Sequence, residues 1–380
     1  MTTPNNTQKF SINRLIKLPQ MARSILLTGT TNTIIVQSEP GCGKTSLLTY
    51  IAKLNGDQWR KVGDYCPTDK YQYIYVDCPN LQYGDITSNI PVKETKTLEE
   101  FVSGLFCMDD PRPKVIMFDE VLKIPKPIKG VVTRAMKERT AGARPFPKGS
   151  LVFGTSNNMI ENLGDTTHAH EGNRVSYAQM AKPDIGVFMP WAIEHGLNDT
   201  VLACVKMNHE TMLASYVTMS PDMLKVNGMV YNPYDPKVTF VSPRSIESVS
   251  HIVDQRLQLG DDTMFALVAG TWGEQATNLL ETYVMMEKEI VPPEVIIADP
   301  LNAPIPANDI VMLITLFKSA NGIKTQDHLS AYVQYVERLK SKEVQSVWAL
   351  KIIKDPRTES LARRNEYLKQ WRMDNLEYTL

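Results

Sequence analysis

The stretch Ser38-Glu39-Pro40-Gly41-Cys42-Gly43-Lys44-Thr45 limits what this chain can fold into more than any other. An apolar, β-branched run (Thr33-Ile34-Ile35-Val36) precedes it, and an amphipathic run from Ser46 to Ala52 follows. Strand, glycine-rich turn and helix in that order are the setting of a phosphate-binding loop. Gly41 and Gly43 let successive backbone N–H groups curl toward an anion, and the positive end of the next helix adds to that field. The binding set read from this is Pro40, Gly41, Cys42, Gly43, Lys44, Thr45 and Ser46. Lys44 would reach the β- and γ-phosphates, and the Thr45 hydroxyl would ligate Mg²⁺. Ser38 departs from the pattern, because it stands where such loops carry their first glycine.

A later strand supplies the companion acids. Lys114-Val115-Ile116-Met117-Phe118 reads as a strand buried on both faces, and Asp119 and Glu120 end it. Strand alternation predicts that the two acids project to opposite sides, so that one can hold the metal while the other faces an attacking water; Asp119 is assigned the metal and Glu120 the water as the working mechanism. Leu151 to Asn158 reads as a further buried strand closing in amides, which would bring Asn157 to the γ-phosphate or the water. Tyr73–Asp77 and Val175–Met180 complete the strands, and Pro19–Leu27 and Val131–Glu138 have helical spacing. Thr97 to Phe106 is also expected to be helical, with Leu98, Phe101, Val102 and Leu105 on one stripe. Between Leu122 and Lys148 lie eight cations, Arg139 and Arg144 among them, opposed only by Glu138. They read as a solvated face, or as a surface lining a pore or meeting an acidic partner.

From Pro183 onward the pattern is helical. Ser242-Pro243-Arg244-Ser245 opens one helix, and Met264–Met286 is expected to form another, broken near Gly270. Val291 to Pro306 is a proline-rich crossing segment. The 380 residues allow two or three domains, and 43% hydrophobic with 22% charged residues is ordinary for a globular core. The formal charge of −1 excludes a global pull toward nucleic acid or anionic membrane. Five cysteines without a Cys-x-x-Cys pair read as reduced thiols, and no apolar run spans a bilayer. The polar start, Met1 to Lys9, lacks the core of a secretory signal, so a cytoplasmic location is expected.

Taken together, Lys44/Thr45, Asp119/Glu120, Asn157, Asn173-Arg174 and Ser242-Pro243-Arg244-Ser245 resemble the AAA+ ATPases, and within them the MoxR-like branch. The resemblance runs over about residues 18–345 in order and spacing. It implies an α/β nucleotide-binding domain with a parallel sheet (18–182) followed by an all-α lid (183–345), while the polar start reads as an N-terminal arm (1–17) and the helical periods at the end as a C-terminal extension (346–380). It implies ATP hydrolysis in a ring of like subunits, usually six, that remodels a protein partner in the manner of a chaperone. A protein carrying a von Willebrand factor A domain is the partner type that goes with this branch. Asn157 then resembles the sensor of the γ-phosphate, Arg174 the finger reaching a neighbouring subunit's site, and Arg244 the lid's sensor arginine. Arg139 and Arg144 are rivals for the trans contact. A nucleic-acid motor or loader, motivated by the basic stretch, and a nucleotide-dependent scaffold are the alternatives.

Overall fold

The loop that follows Ser38 leaves a strand that is hydrogen-bonded on both sides within a sheet. The computed structural model describes residues 14–60, 66–82, 84–158, 175–236 and 239–374. The chain divides into one compact unit ending at Lys182 and a second beginning at Pro183.

The first unit begins with α1 (Leu18–Thr28), β1 (Ile34–Ser38), α2 (Ser46–Asn55) and β2 (Gln72–Asp77). A hairpin, β3 (Thr87–Val92) and β4 (Thr97–Val102), precedes β5 (Lys114–Asp119) and α3 (Lys126–Glu138). A short hairpin, β6 (Thr140–Ala141) and β7 (Arg144–Pro145), leads to β8 (Leu151–Asn157) and β9 (Ser176–Gln179). Five strands make one wholly parallel sheet in the order β2-β5-β8-β1-β9. Every residue of β1 and β5 is buried, which is why both read as unbroken apolar runs rather than alternating ones. Alternation still sorts their side chains. Ile34, Val36, Val115 and Met117 pack under α1 and α2 with Leu47, Leu48 and Ile51. Ile35, Ile116 and Phe118 pack on the other face with Ile128, Val132 and Met136 of α3. After β1 the chain leaves for the β2 edge and works back, so β1, β5 and β8 end together where the strand order reverses. Open α/β sheets bind ligands at that edge.

The second unit is helical among the described residues. Its helices are α4 (Ile185–Glu194), α5 (Asp199–Met207), α6 (His209–Met212), α7 (Pro221–Val226), α8 (Pro243–Asp254), α9 (Arg256–Leu259), α10 (Asp261–Trp272) and α11 (Glu274–Met286). Then come α12 (Pro293–Ala298), α13 (Asp309–Gly322), α14 (Gln326–Glu337) and α15 (Lys342–Lys354). One core gathers Val201, Val249, Val268, Trp272, Leu280 and Phe317, and a second gathers Leu316, Tyr332, Tyr335, Trp348 and Ile352. The start of α8 is a reciprocal cap: Ser242 Oγ accepts from Ser245 N at 3.2 Å and Ser245 Oγ accepts from Ser242 N at 2.8 Å. Buried charge ties α15 to α5. Lys351, fully buried, bonds Asp199 at 2.5 Å and Asp355 at 2.9 Å, and Arg357 closes the set on Asp355 at 2.5 Å.

Three expectations are corrected. Thr97 to Phe106 is not a helix: β4 pairs antiparallel with β3, with Phe101 opposite Ser88 and Leu98 opposite Pro91. Of the supposed apolar stripe only Val102 and Leu105 are partly buried, while Leu98 is 66% and Phe101 50% exposed. The turn at Lys93–Lys96, with Lys96 left-handed at φ 54°, folds Thr97 and its successors back on a ready strand. The break near Gly270 falls instead at Gly273, whose φ of 83° stops α10, while Gly270 is carried inside the helix. The proline-rich crossing contains α12, which Pro292-Pro293 opens at its first turn.

Candidate active site

The loop from Glu39 to Thr45 leaves the buried end of β1 and returns directly into α2. Gly41 (φ 70°) and Gly43 (φ 84°) occupy the left-handed region, where a side chain is strained. Ser38 does not: it is still extended strand, registered against Asn157 of β8. Glycine's freedom is not required there, which accounts for the departure in the motif. Ser46 N donates to Gly43 O at 3.1 Å, starting the helix on the loop's last glycine.

Lys44 is almost fully buried, and its ammonium is held by three acceptors. Nζ donates to Ser38 O at 3.2 Å, Glu39 O at 2.9 Å and Asn157 Oδ1 at 2.9 Å. The amide of Asn157 thus touches the loop lysine directly through its oxygen. Asp119, at the end of β5, lies on the α2 side of the sheet. Its Oδ2 accepts from Tyr75 Oη at 2.9 Å and from Thr45 Oγ1 at 3.4 Å, and its Oδ1 accepts from the Thr155 hydroxyl. Burial, and then the neighbouring Asp119 charge, push the Tyr75 phenol up, so it stays a donor. Lys44, Thr45, Asp119 and Asn157, far apart in sequence, form one contiguous group.

Glu120 sits differently from the alternation argument. The strand stops at Asp119, and Glu120 turns left-handed (φ 52°, ψ 46°) into a short 3₁₀ turn, Val121–Lys123. Its carboxylate pairs with Lys123 Nζ at 2.6 Å, both side chains partly exposed. The two acids are separated by a kink in the backbone, not by the pleat.

Of the arginines, Arg174 lies outside the described residues. Arg139 is spent inside its own unit: it is half-buried, donates to Gly29 O at 2.9 Å and Lys137 O at 3.3 Å, and burial lowers its pKa. Both acceptors are backbone carbonyls of the same unit. Arg144 remains exposed, 3.9 Å from Asp109. Arg244 is exposed in the first turn of α8, where the helix dipole disfavours a cation, and among the described residues it makes no ion pair. Helix stability therefore gives no reason for an arginine there.

Magnesium commonly takes one or two protein oxygens and draws the rest from phosphates and water, and Thr45 with Asp119 offers that set. Among the described residues no group of three or more His, Cys, Asp or Glu could hold an ion by itself. Two hydroxyls, Tyr75 and Thr155, escaped the sequence reading. Thr155 precedes Asn157 by two positions and so shares its face, a usable signal. Tyr75 needed the register of β2 on β5, which no sequence pattern supplies.

No family model matches the chain, and no curated protein matches it. Solved structures with partial likeness include the Holliday junction branch migration motor RuvB of Thermotoga maritima, at 13% identity and a TM-score of 0.35, covering 84% of this chain and 86% of that one. NtrX of Brucella abortus gives 13% identity and a TM-score of 0.31, over 70% of this chain and 67% of that one. NtrX in complex with ATP gives 11% and 0.30, over 73% and 70%. Likeness at these scores decides nothing by itself. The fold class rests on the chain's own features: a parallel α/β sheet with a glycine-rich turn from strand to helix at its reversal point, followed by a helical unit. Among the described residues no helix is long and apolar enough to cross a membrane.

Proposed function

We propose that this chain is an ATP hydrolase of the AAA+ kind, forming ADP and phosphate in a ring of like subunits and remodelling a protein partner as MoxR-like ATPases do. The observation that carries the reading is the contact of Lys44 Nζ with Asn157 Oδ1 beside the Thr45–Asp119 pair. Four residue types needed for phosphoryl transfer thereby meet at one sheet edge. Lys44 and the loop amides hold the phosphates, and Asn157 is placed to exchange its lysine contact for the γ-phosphate or the water. Glu120 leaves its ion pair with Lys123 to orient and polarise that water. A half-exposed pair of this kind is worth about 0–1 kcal/mol, so leaving it costs little. Mg²⁺, held by Thr45 and Asp119, would supply charge neutralisation between the phosphates. Arg174 and Arg244 are assigned the trans-acting finger and the lid sensor, with Arg139 and Arg144 the rivals of the former. A partner carrying a von Willebrand factor A domain and a cytoplasmic location belong to the same reading.

The nucleic-acid alternative loses support in the basic stretch itself. Lys123 is paired with Glu120, Arg134 with Glu138 at 2.7 Å, and Arg139 is turned inward. Phosphate release by the purified chain, compared with Glu120→Gln, tests the proposal. The variant is expected to bind ATP and turn over at least a hundredfold more slowly; undiminished turnover would remove Glu120 from its role.

A further inference from the structure

We propose that Thr155 and Tyr75 are positioning residues that clamp the Asp119 carboxylate in the orientation that receives the magnesium–nucleotide, with Thr155 also fixing the turn that carries Glu120. This rests on the nucleotide-site reading above. The hydrogen-bond directions are forced by chemistry. An ionised carboxylate only accepts and a backbone N–H only donates. The single hydroxyl proton of Thr155 is therefore committed to Asp119 Oδ1, and its oxygen accepts from Glu120 N at 3.3 Å. Tyr75 commits its phenolic proton to Oδ2 at 2.9 Å. Thr155 is fully buried and Asp119 almost so, and the Thr155 hydroxyl has no exposed surface through which to find a substitute partner. The Thr45 contact, at 3.4 Å, is the long one of the three, so the ligand hydroxyl is the group with least to lose on moving to a cation.

One hydroxyl thus joins three parts of the site. It sits two residues before Asn157 on β8, holds the acid ending β5, and ties down the left-handed residue after it. Valine in its place keeps the shape and β-branching but leaves Asp119 Oδ1 and Glu120 N without this partner. Serine keeps the hydroxyl.

The test is calorimetric binding of ADP to the full chain with EDTA and with Mg²⁺, followed by Mn²⁺ electron paramagnetic resonance in the presence of ADP. Thr155→Val is expected to hold its metal-free ADP affinity within about threefold of wild type. Its gain in affinity on adding Mg²⁺ should fall at least tenfold, with a broadened Mn²⁺ signal. Thr155→Ser should restore both, and Tyr75→Phe should give the same pattern more weakly. A wild-type Mg²⁺ gain retained in both Thr155→Val and Tyr75→Phe overturns the clamp alone. Equal loss of metal-free and metal-dependent affinity in Thr155→Val also overturns it, since that is the mark of general disruption. Absence of ADP binding in the wild type removes the function and the clamp together.

Discussion

Replacing Lys351 by methionine should destabilise the second unit by about 3 kcal/mol, and the structure indicates why the figure is not smaller. Lys351 has no exposed side-chain surface, and its ammonium touches Asp199 at 2.5 Å and Asp355 at 2.9 Å. Methionine has nearly the same length and no charge, so packing alone should change by less than about 1.5 kcal/mol. What remains is two buried carboxylates without their shared cation, and breaking a buried pair from one side costs about 3–5 kcal/mol. The lower end applies because Arg357 still reaches Asp355 at 2.5 Å and Asp199 at 3.5 Å. At about 2–4 °C per kcal/mol for a unit of this size, the melting point should fall about 6–12 °C. Guanidinium denaturation followed by tryptophan fluorescence measures this well. Of the five tryptophans only Trp59 precedes Pro183, and Trp348 lies on the same helix as Lys351. A loss below about 1 kcal/mol would refute the reasoning, since it would mean the carboxylates are hydrated or protonated without the lysine.

Two further outcomes are expected. Burial opposes ionisation of Asp355, but the Arg357 hydrogen bond and the Lys351 charge outweigh it, leaving its pKa at about 2 against an ordinary 3.8. A folded value below the unfolded one gives stability that is complete above about pH 4 and lost as pH falls toward 2. That interval is worth about 2–3 kcal/mol, and Asp355→Asn should flatten this part of an acid-denaturation profile. Lys123→Ala should change the maximal hydrolysis rate by less than about fivefold, because the exposed pair with Glu120 is worth at most about 1 kcal/mol. A much larger effect in a phosphate-release assay would make Lys123 part of the chemistry.

The sheet was legible because its strands are buried on both faces and so advertise themselves as apolar runs: Ile34–Val36, Val115–Phe118 and Leu151–Phe153. The turn between β1 and α2 was legible because glycine suits φ near 70–84° at Gly41 and Gly43. Sequence was blind where an element packs on little. The β3–β4 hairpin buries almost none of its side chains, so neither period of its pattern was set by a core. It was also blind to backbone departures. Nothing in Phe118-Asp119-Glu120 signals that the strand ends between the two acids, or that Glu120 adopts φ 52°. Arg139 looked like a surface cation in a basic run, and only its left-handed backbone and its bond to Gly29 O show it turned inward.

The account stands most directly on whether Lys44, Thr45, Asp119 and Asn157 hold a triphosphate. Titration calorimetry of the purified chain with ATP and Mg²⁺, beside Lys44→Ala, decides it. Saturable binding that weakens at least a hundredfold in the variant is the result expected. Heat of binding absent from the wild type, or unchanged by the loss of Lys44, would contradict it.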